Sequence, residues 1–191
     1  MSPSQAPASE VSVLLKKCSA GDKDAEQAVF DRTYDELRRI AHQVFFTNRT
    51  VPALQPTALV HEAFLRMPRA GEIDWQGRQH FFAIAARAMR RALIDDIRTE
   101  YADKRIHPGR TVPISDEHDT IDIRSVDDVL LAEAALSAFE AQDPRRARVV
   151  EMRVYGGMTF NEIAPVIGKS AEAAKKDWKM ARLWLKTWIS P

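Results

Sequence analysis

This sequence predicts an all-α fold: two small helical domains joined by an acidic linker, the C-terminal one containing a helix-turn-helix. Three observations carry that expectation. Helix start and stop signals recur along the whole chain, while alternating β-branched runs are few. Charge is segregated although the formal net charge is only +1. Gly77 to Arg110 holds eight Lys/Arg against four Asp/Glu, Thr111 to Asp143 has nine Asp/Glu opposed only by Arg124, and Lys169 to Lys186 carries six Lys/Arg against Glu172 and Asp177. Finally, Thr159 to Trp188 reads as two short helices around a tight turn, and the second helix has chemically opposite faces.

The bulk composition narrows the class. A 191-residue chain that is 45% apolar can build a core, as one domain or two small ones. One cysteine, Cys18, excludes a disulfide framework and a cysteine-rich zinc site. No apolar run reaches the roughly 18 residues of a membrane span, and no signal-peptide pattern opens the chain, so a cytoplasmic protein without membrane insertion is expected.

Residues 1–8 form a short lead expected to be disordered. Ser9 can cap a helix over 10–20 that stops at Gly21, and Asp22 can cap a longer one to Thr47. Its buried set is Ala25, Val29, Tyr34, Leu37, Ile40, Ala41 and Val44. Pro52 and Pro56 bracket a loop, and Pro56 suits the first turn of a helix running to Met67. After a loop with Gly71 and Trp75 comes the longest helix, 78–105. Pro108, Gly109, Pro113 and many acids mark 107–125 as the linker between a first domain at 9–106 and a second at 126–191. Helices resume at 126–141, and Asp143-Pro144 caps another over 144–155 that Gly156-Gly157 stops.

Thr159 and Glu162 then fit a capping box, Gly168 supplies a turn, and Ser170 can cap the last helix. At about 100° per residue, Ala174, Trp178, Ala181 and Leu185 share one stripe of that helix. Glu172, Lys175, Lys176, Lys179, Arg182 and Lys186 lie on the other side, the pattern of a helix that packs on a small core and enters a DNA groove. In the long helix, Phe81, Phe82, Ala85, Ala88, Met89, Ala92 and Leu93 form an apolar sector. Its cations from Arg87 to Arg105 form a stripe about 27 Å long, with Arg90 flanking, able to follow a phosphate backbone. Just before it, Asp74 to Phe82 interleaves aromatic, amide and cationic groups that could hold an unpaired base. Phe81 and Phe82 read better as core, and Trp75 reads equally well either way.

Several motifs in order make the chain resemble a bacterial RNA polymerase sigma factor of the extracytoplasmic-function class over 10–188. They are Leu54 to Met67 (LQPTALVHEAFLRM), His80 to Arg91 (HFFAIAARAMRR) with Leu93-Ile94-Asp95 and Arg98, Asp143-Pro144-Arg145 with Arg148 to Arg153, Gly157 to Ala164 (GMTFNEIA), and Lys175-Lys176-Asp177-Trp178 with Ala181 to Leu185. The resemblance implies two partners, core RNA polymerase (clamp and flap) and promoter DNA, and admits an anti-sigma protein as a third. It assigns the clamp contact to Gln55, Thr57, Leu59, Val60, Glu62, Ala63 and Arg66. Minus-ten recognition and opening would fall to Trp75, Arg78, His80, Arg87, Arg90, Arg91 and Arg98. Minus-thirty-five recognition would fall to Ser170, Glu172, Ala173, Lys175, Lys176, Lys179 and Arg182. The acidic linker would thread through the polymerase, or stand as a solvated spacer, and it permits the two halves to close on each other and hide both basic faces.

Two departures from the family pattern stand out. Pro165 sits inside the first helix of the turn unit, which is expected to kink or end early. Glu100-Tyr101-Ala102-Asp103 interrupts an otherwise more basic run. No catalytic residue, cofactor or metal is expected. His61-Glu62 lacks the second histidine of a zinc-protease helix, because position 65 is Leu, and the histidines at 42, 61, 80, 107 and 118 show no metal spacing. Two alternatives remain: a stand-alone helix-turn-helix regulator, for which the Leu54–Met67 helix is dispensable, and a helical protein-interaction module without salt-dependent DNA affinity.

Overall fold

The computed structural model describes residues 10–46, 55–100 and 126–189. These form eight helices: α1 (Glu10–Ser19), α2 (Lys23–Phe46), α3 (Pro56–Leu65), α4 (Arg78–Glu100), α5 (Val126–Gln142), α6 (Pro144–Val154), α7 (Phe160–Val166) and α8 (Ala171–Ile189). No strand occurs among the described residues, so the fold is all-α. The N-terminal lead, the Ser9 cap, Lys104, Arg105 and the acidic linker lie outside the described residues.

Local chemistry sets most helix ends. The Ala25 amide donates to the Asp22 carboxylate at 3.0 Å at the start of α2. Asp143 accepts from the Arg146 amide at 3.0 Å, with Pro144 in the first turn of α6. Thr159 and Glu162 close a reciprocal capping box on α7: the Thr159 amide donates to Glu162 at 2.8 Å, and the Glu162 amide donates to the Thr159 hydroxyl at 3.3 Å. Replacing Thr159 by Ala is expected to cost about 1 kcal/mol, read as a small drop in the thermal midpoint.

Pro165 sits inside α7, and this seven-residue helix ends soon after it, in keeping with the early end expected there. The helix runs one residue further and closes in a Schellman motif, with the Lys169 amide on the Ala164 carbonyl at 3.0 Å and the Gly168 amide on Pro165 at 3.4 Å. Gly168 supplies the left-handed φ of +64° that this turn needs. The donor that proline lacks would have met the carbonyl of Asn161, an exposed residue within reach of water. The Ala173 amide donates to Ser170 at 3.2 Å to start α8.

Helix α4 is the spine of the molecule. One side packs on α1 and α3, the other on α5, α6 and α7. Phe81, Met89 and Ile97 are 1% exposed or less, and a single apolar cluster runs from Leu15 through these residues to Ile189. In this conformation the cores of the N-terminal and C-terminal halves are therefore continuous. Across this junction, a Cβ built on Gly156 would lie only 3.0 Å from that of Ala86.

Candidate nucleic-acid and polymerase interfaces

Helix α8 sorts its side chains as the sequence predicts. Ala174, Trp178, Ala181 and Leu185 are at most 3% exposed, whereas Lys175, Lys176, Lys179 and Lys186 face solvent. Ser170 and Glu172 are also exposed, Ala173 is half-buried, and the Arg182 guanidinium lies 5.9 Å from the centre of the Trp178 ring. The closed arrangement therefore leaves this basic face open, contrary to the expectation that closure hides both. Beside it, Arg153, Thr159, Phe160, Asn161, Glu172 and Lys175 line an open concavity at the adjoining ends of α7 and α8.

Asp177, an acid within this basic stretch, is turned inward and 6% exposed. Arg145 and Arg146 both donate to it, Arg146 Nε at 3.0 Å, tying α8 to α6. Burial alone would raise the Asp177 pKa, but the hydrogen bonds and charges of these two arginines hold it below the ordinary aspartate value. The sign follows from linkage. A depressed folded-state pKa contributes stability above the unfolded value, near 3.9, which is lost as pH falls through the folded one. Acid titration of the thermal midpoint should show this loss below about pH 4, and Asp177→Asn should flatten that limb.

Helix α4 departs from the expected stripe. Arg91 and Arg98 are exposed, and Arg87 is 51% exposed with a 3.2 Å ion pair to Glu140. Arg90 is instead buried between the halves. Its Nε and Nη2 donate to the two carboxylate oxygens of Glu133 at 2.9 Å each, and its Nη1 reaches Glu140 and Glu151 at 3.1 Å. Burial disfavours its charge, but the bidentate Glu133 carboxylate reverses that and raises its pKa. Burial also raises the Glu151 carboxyl, in spite of Arg90. As placed here, Arg90 cannot touch DNA.

Trp75 is likewise core: it is 6% exposed, its ring lies 5.6 Å from Phe81, and its amide donates to Ser19 at 2.9 Å. The loop holding it is tied back onto the C-terminal end of α1, so the ring as placed here cannot meet a base. His80 is half-buried, and its Nδ1 accepts from the Gln76 amide at 3.2 Å. Burial, and then the Arg148 charge, lower its pKa. Arg78 donates to Glu36 at 2.6 Å, lies over the Phe82 ring at 4.6 Å and reaches Glu162 at 3.6 Å.

On α3 the structure divides the nominated polymerase contacts. Leu59, Val60 and Ala63 are at most 3% exposed, because that face packs on α2 and α4, so they support the helix and cannot be its contact surface. Gln55, Thr57 and Arg66 face solvent, and the half-buried Glu62 pairs with Arg66 at 2.7 Å. Sequence reasoning missed the neighbouring aromatic surface. Phe30 contacts Tyr34, His61 and Phe64, with the Phe30 and Phe64 rings 4.5 Å apart, and Leu65 beside them is 61% exposed. The exposed His61 and Leu65, on the side of α3 away from its buried face, were the available signal.

The family model for ECF sigma factors matches residues 8–190. The chain belongs to the ECF sigma factor family. No curated protein and no solved structure gives a significant match. As a sigma factor it is a transcription regulator that directs RNA polymerase to promoters, with core polymerase and promoter DNA as its partners. Members of the family are often held by anti-sigma factors. No helix among the described residues is long and apolar enough to cross a membrane.

Proposed function

We propose that this sigma factor divides its work between its two halves. The half containing α1 to α4 docks on the polymerase clamp through the exposed side of α3, and α4 engages and opens the minus-ten element. The half containing α5 to α8 acts as the helix-turn-helix domain, placing α8 in the major groove at the minus-thirty-five element and contacting the flap. The observation that carries this reading is the sorting of α8: an apolar stripe seated on the core, and Lys175, Lys176 and Lys179 aligned toward solvent. Such a face supplies phosphate contacts that fix register, while side chains near the start of the helix reach base edges.

On α4, Arg91 and Arg98 supply phosphate contacts directly, and Arg90 joins them once freed from the carboxylates around it. The mechanism is binding. Unstacking costs a few kilocalories per base, and capture of the opened strand offsets it. Mixing the protein with core polymerase and genomic fragments should give a stable holoenzyme and promoter-dependent run-off transcripts. A protein that binds DNA but not core polymerase would establish the stand-alone regulator instead.

A further inference from the structure

We propose that Arg90 is the catch of a closed, autoinhibited state in which acidic side chains of the C-terminal half occupy the place of promoter phosphates. This rests on the reading of α4 as a promoter-opening helix. Arg90 leaves α4 and is 6% exposed, wedged against α5 and α6. Glu133 holds it in the two-pronged geometry by which a guanidinium also binds phosphate. Glu151 and Glu140 take its Nη1, and Ser137 lies 3.3 Å from its Nη2. Glu133 and Glu151 are themselves 7% and 4% exposed.

Every carboxylate here comes from the half opposite to Arg90, so the cluster joins the halves. Opening would hydrate all of these groups, or hand Arg90 to DNA. Keeping the halves shut without the carboxylates would strand a buried guanidinium.

Size requires the opening. A compact chain of 191 residues has a radius of gyration of about 16 Å. Promoter elements centred about 25 base pairs apart are separated by roughly 85 Å of duplex. The closed molecule cannot reach both, so α4 and α8 must separate before they act together. Core polymerase, by gripping each half at its own surface, supplies the force that replaces the clasp. Until then the basic face of α8 stays exposed while Arg90 is withheld, so closure silences strand opening and leaves the upstream-binding face available.

The test uses the full chain without polymerase. Glu133→Gln with Glu151→Gln removes the clasp from residues outside the proposed DNA-binding set, and Glu140→Gln is a milder change at the rim. Small-angle scattering should show a compact wild type and an expanded double variant of equal helical content, with Glu140→Gln between them. Affinity for a short single-stranded DNA oligonucleotide of mixed sequence should rise about tenfold in the double variant, as one guanidinium is released to bind phosphate. A double variant that stays as compact as wild type overturns the proposal, as does one that expands without gaining affinity, or a wild type that is already extended. Loss of helical content in the double variant moves the decision to Glu140→Gln, where wild-type compactness and affinity would overturn it. Failure of the wild type to bind core polymerase would instead sink the sigma mechanism and leave the scattering result standing.

Discussion

Replacing Lys175 and Lys179 together by glutamate is expected to lower the promoter affinity of the holoenzyme by roughly 30- to 1,000-fold, at about 1–2 kcal/mol per site. Both side chains are exposed on the face of α8 opposite its buried stripe. Neither packs in the core, so helicity and thermal stability should hold. The salt dependence should change with the affinity. Each lost phosphate contact removes close to one unit from the slope of log affinity against log salt, so the variant should be flatter by about 2. Binding to core polymerase, which uses other surfaces, should be unaltered. A variant weakened equally at all salt concentrations would mean that these lysines do not contact phosphate.

Trp178→Ala should act through stability alone, and severely. The indole is 3% exposed and sits between Ala174 and Ala181, both fully buried, on the stripe that seats α8 on α5 and α6. Truncating a buried aromatic to alanine leaves a cavity and costs about 3–5 kcal/mol. Domains of this kind hold only about 5–15 kcal/mol in all. Chemical denaturation should therefore show a large drop in midpoint, against the small one expected for Thr159→Ala. Arg182 would also lose the ring beneath its guanidinium, so the basic face would loosen as the core fails.

The features legible in the sequence are the local ones. Asp22, Asp143 with Pro144, Thr159 with Glu162, and Ser170 all act on amides within three residues. Their spacing therefore carries the information. The two faces of α8 are equally local, since a 3.6-residue period sorts them. The fate of Arg90 was not legible. It sits beside Arg87 and Arg91 on the helix, yet its partners Glu133 and Glu151 lie 43 and 61 positions away, and no periodicity reports which cation of a stripe turns inward. Asp177 follows the same logic: it looks like a stray acid on a basic helix until Arg145 and Arg146 come down on it from α6. Trp75 belongs to a loop, where no pattern separates a buried ring from a presented one.

The nominated polymerase contacts on α3 teach a different lesson. Leu59, Val60 and Ala63 recur at helical spacing among apolar residues, which is the signature of a buried stripe. The motif drew attention to the whole segment, and the periodicity within it already marked these three as support. Phe30, from α2, joined the surface only through tertiary packing against Phe64.

The measurement that bears most directly on the central claim is base unpairing in the promoter. Permanganate reactivity of thymines should be followed with core polymerase alone, with the wild-type holoenzyme, and with a holoenzyme carrying Arg91→Glu and Arg98→Glu. Reactive thymines near minus ten are expected only with the wild-type sigma factor, while the variant should still bind core polymerase and the upstream element but leave the duplex closed. Full reactivity with the variant would contradict the assignment of strand opening to α4.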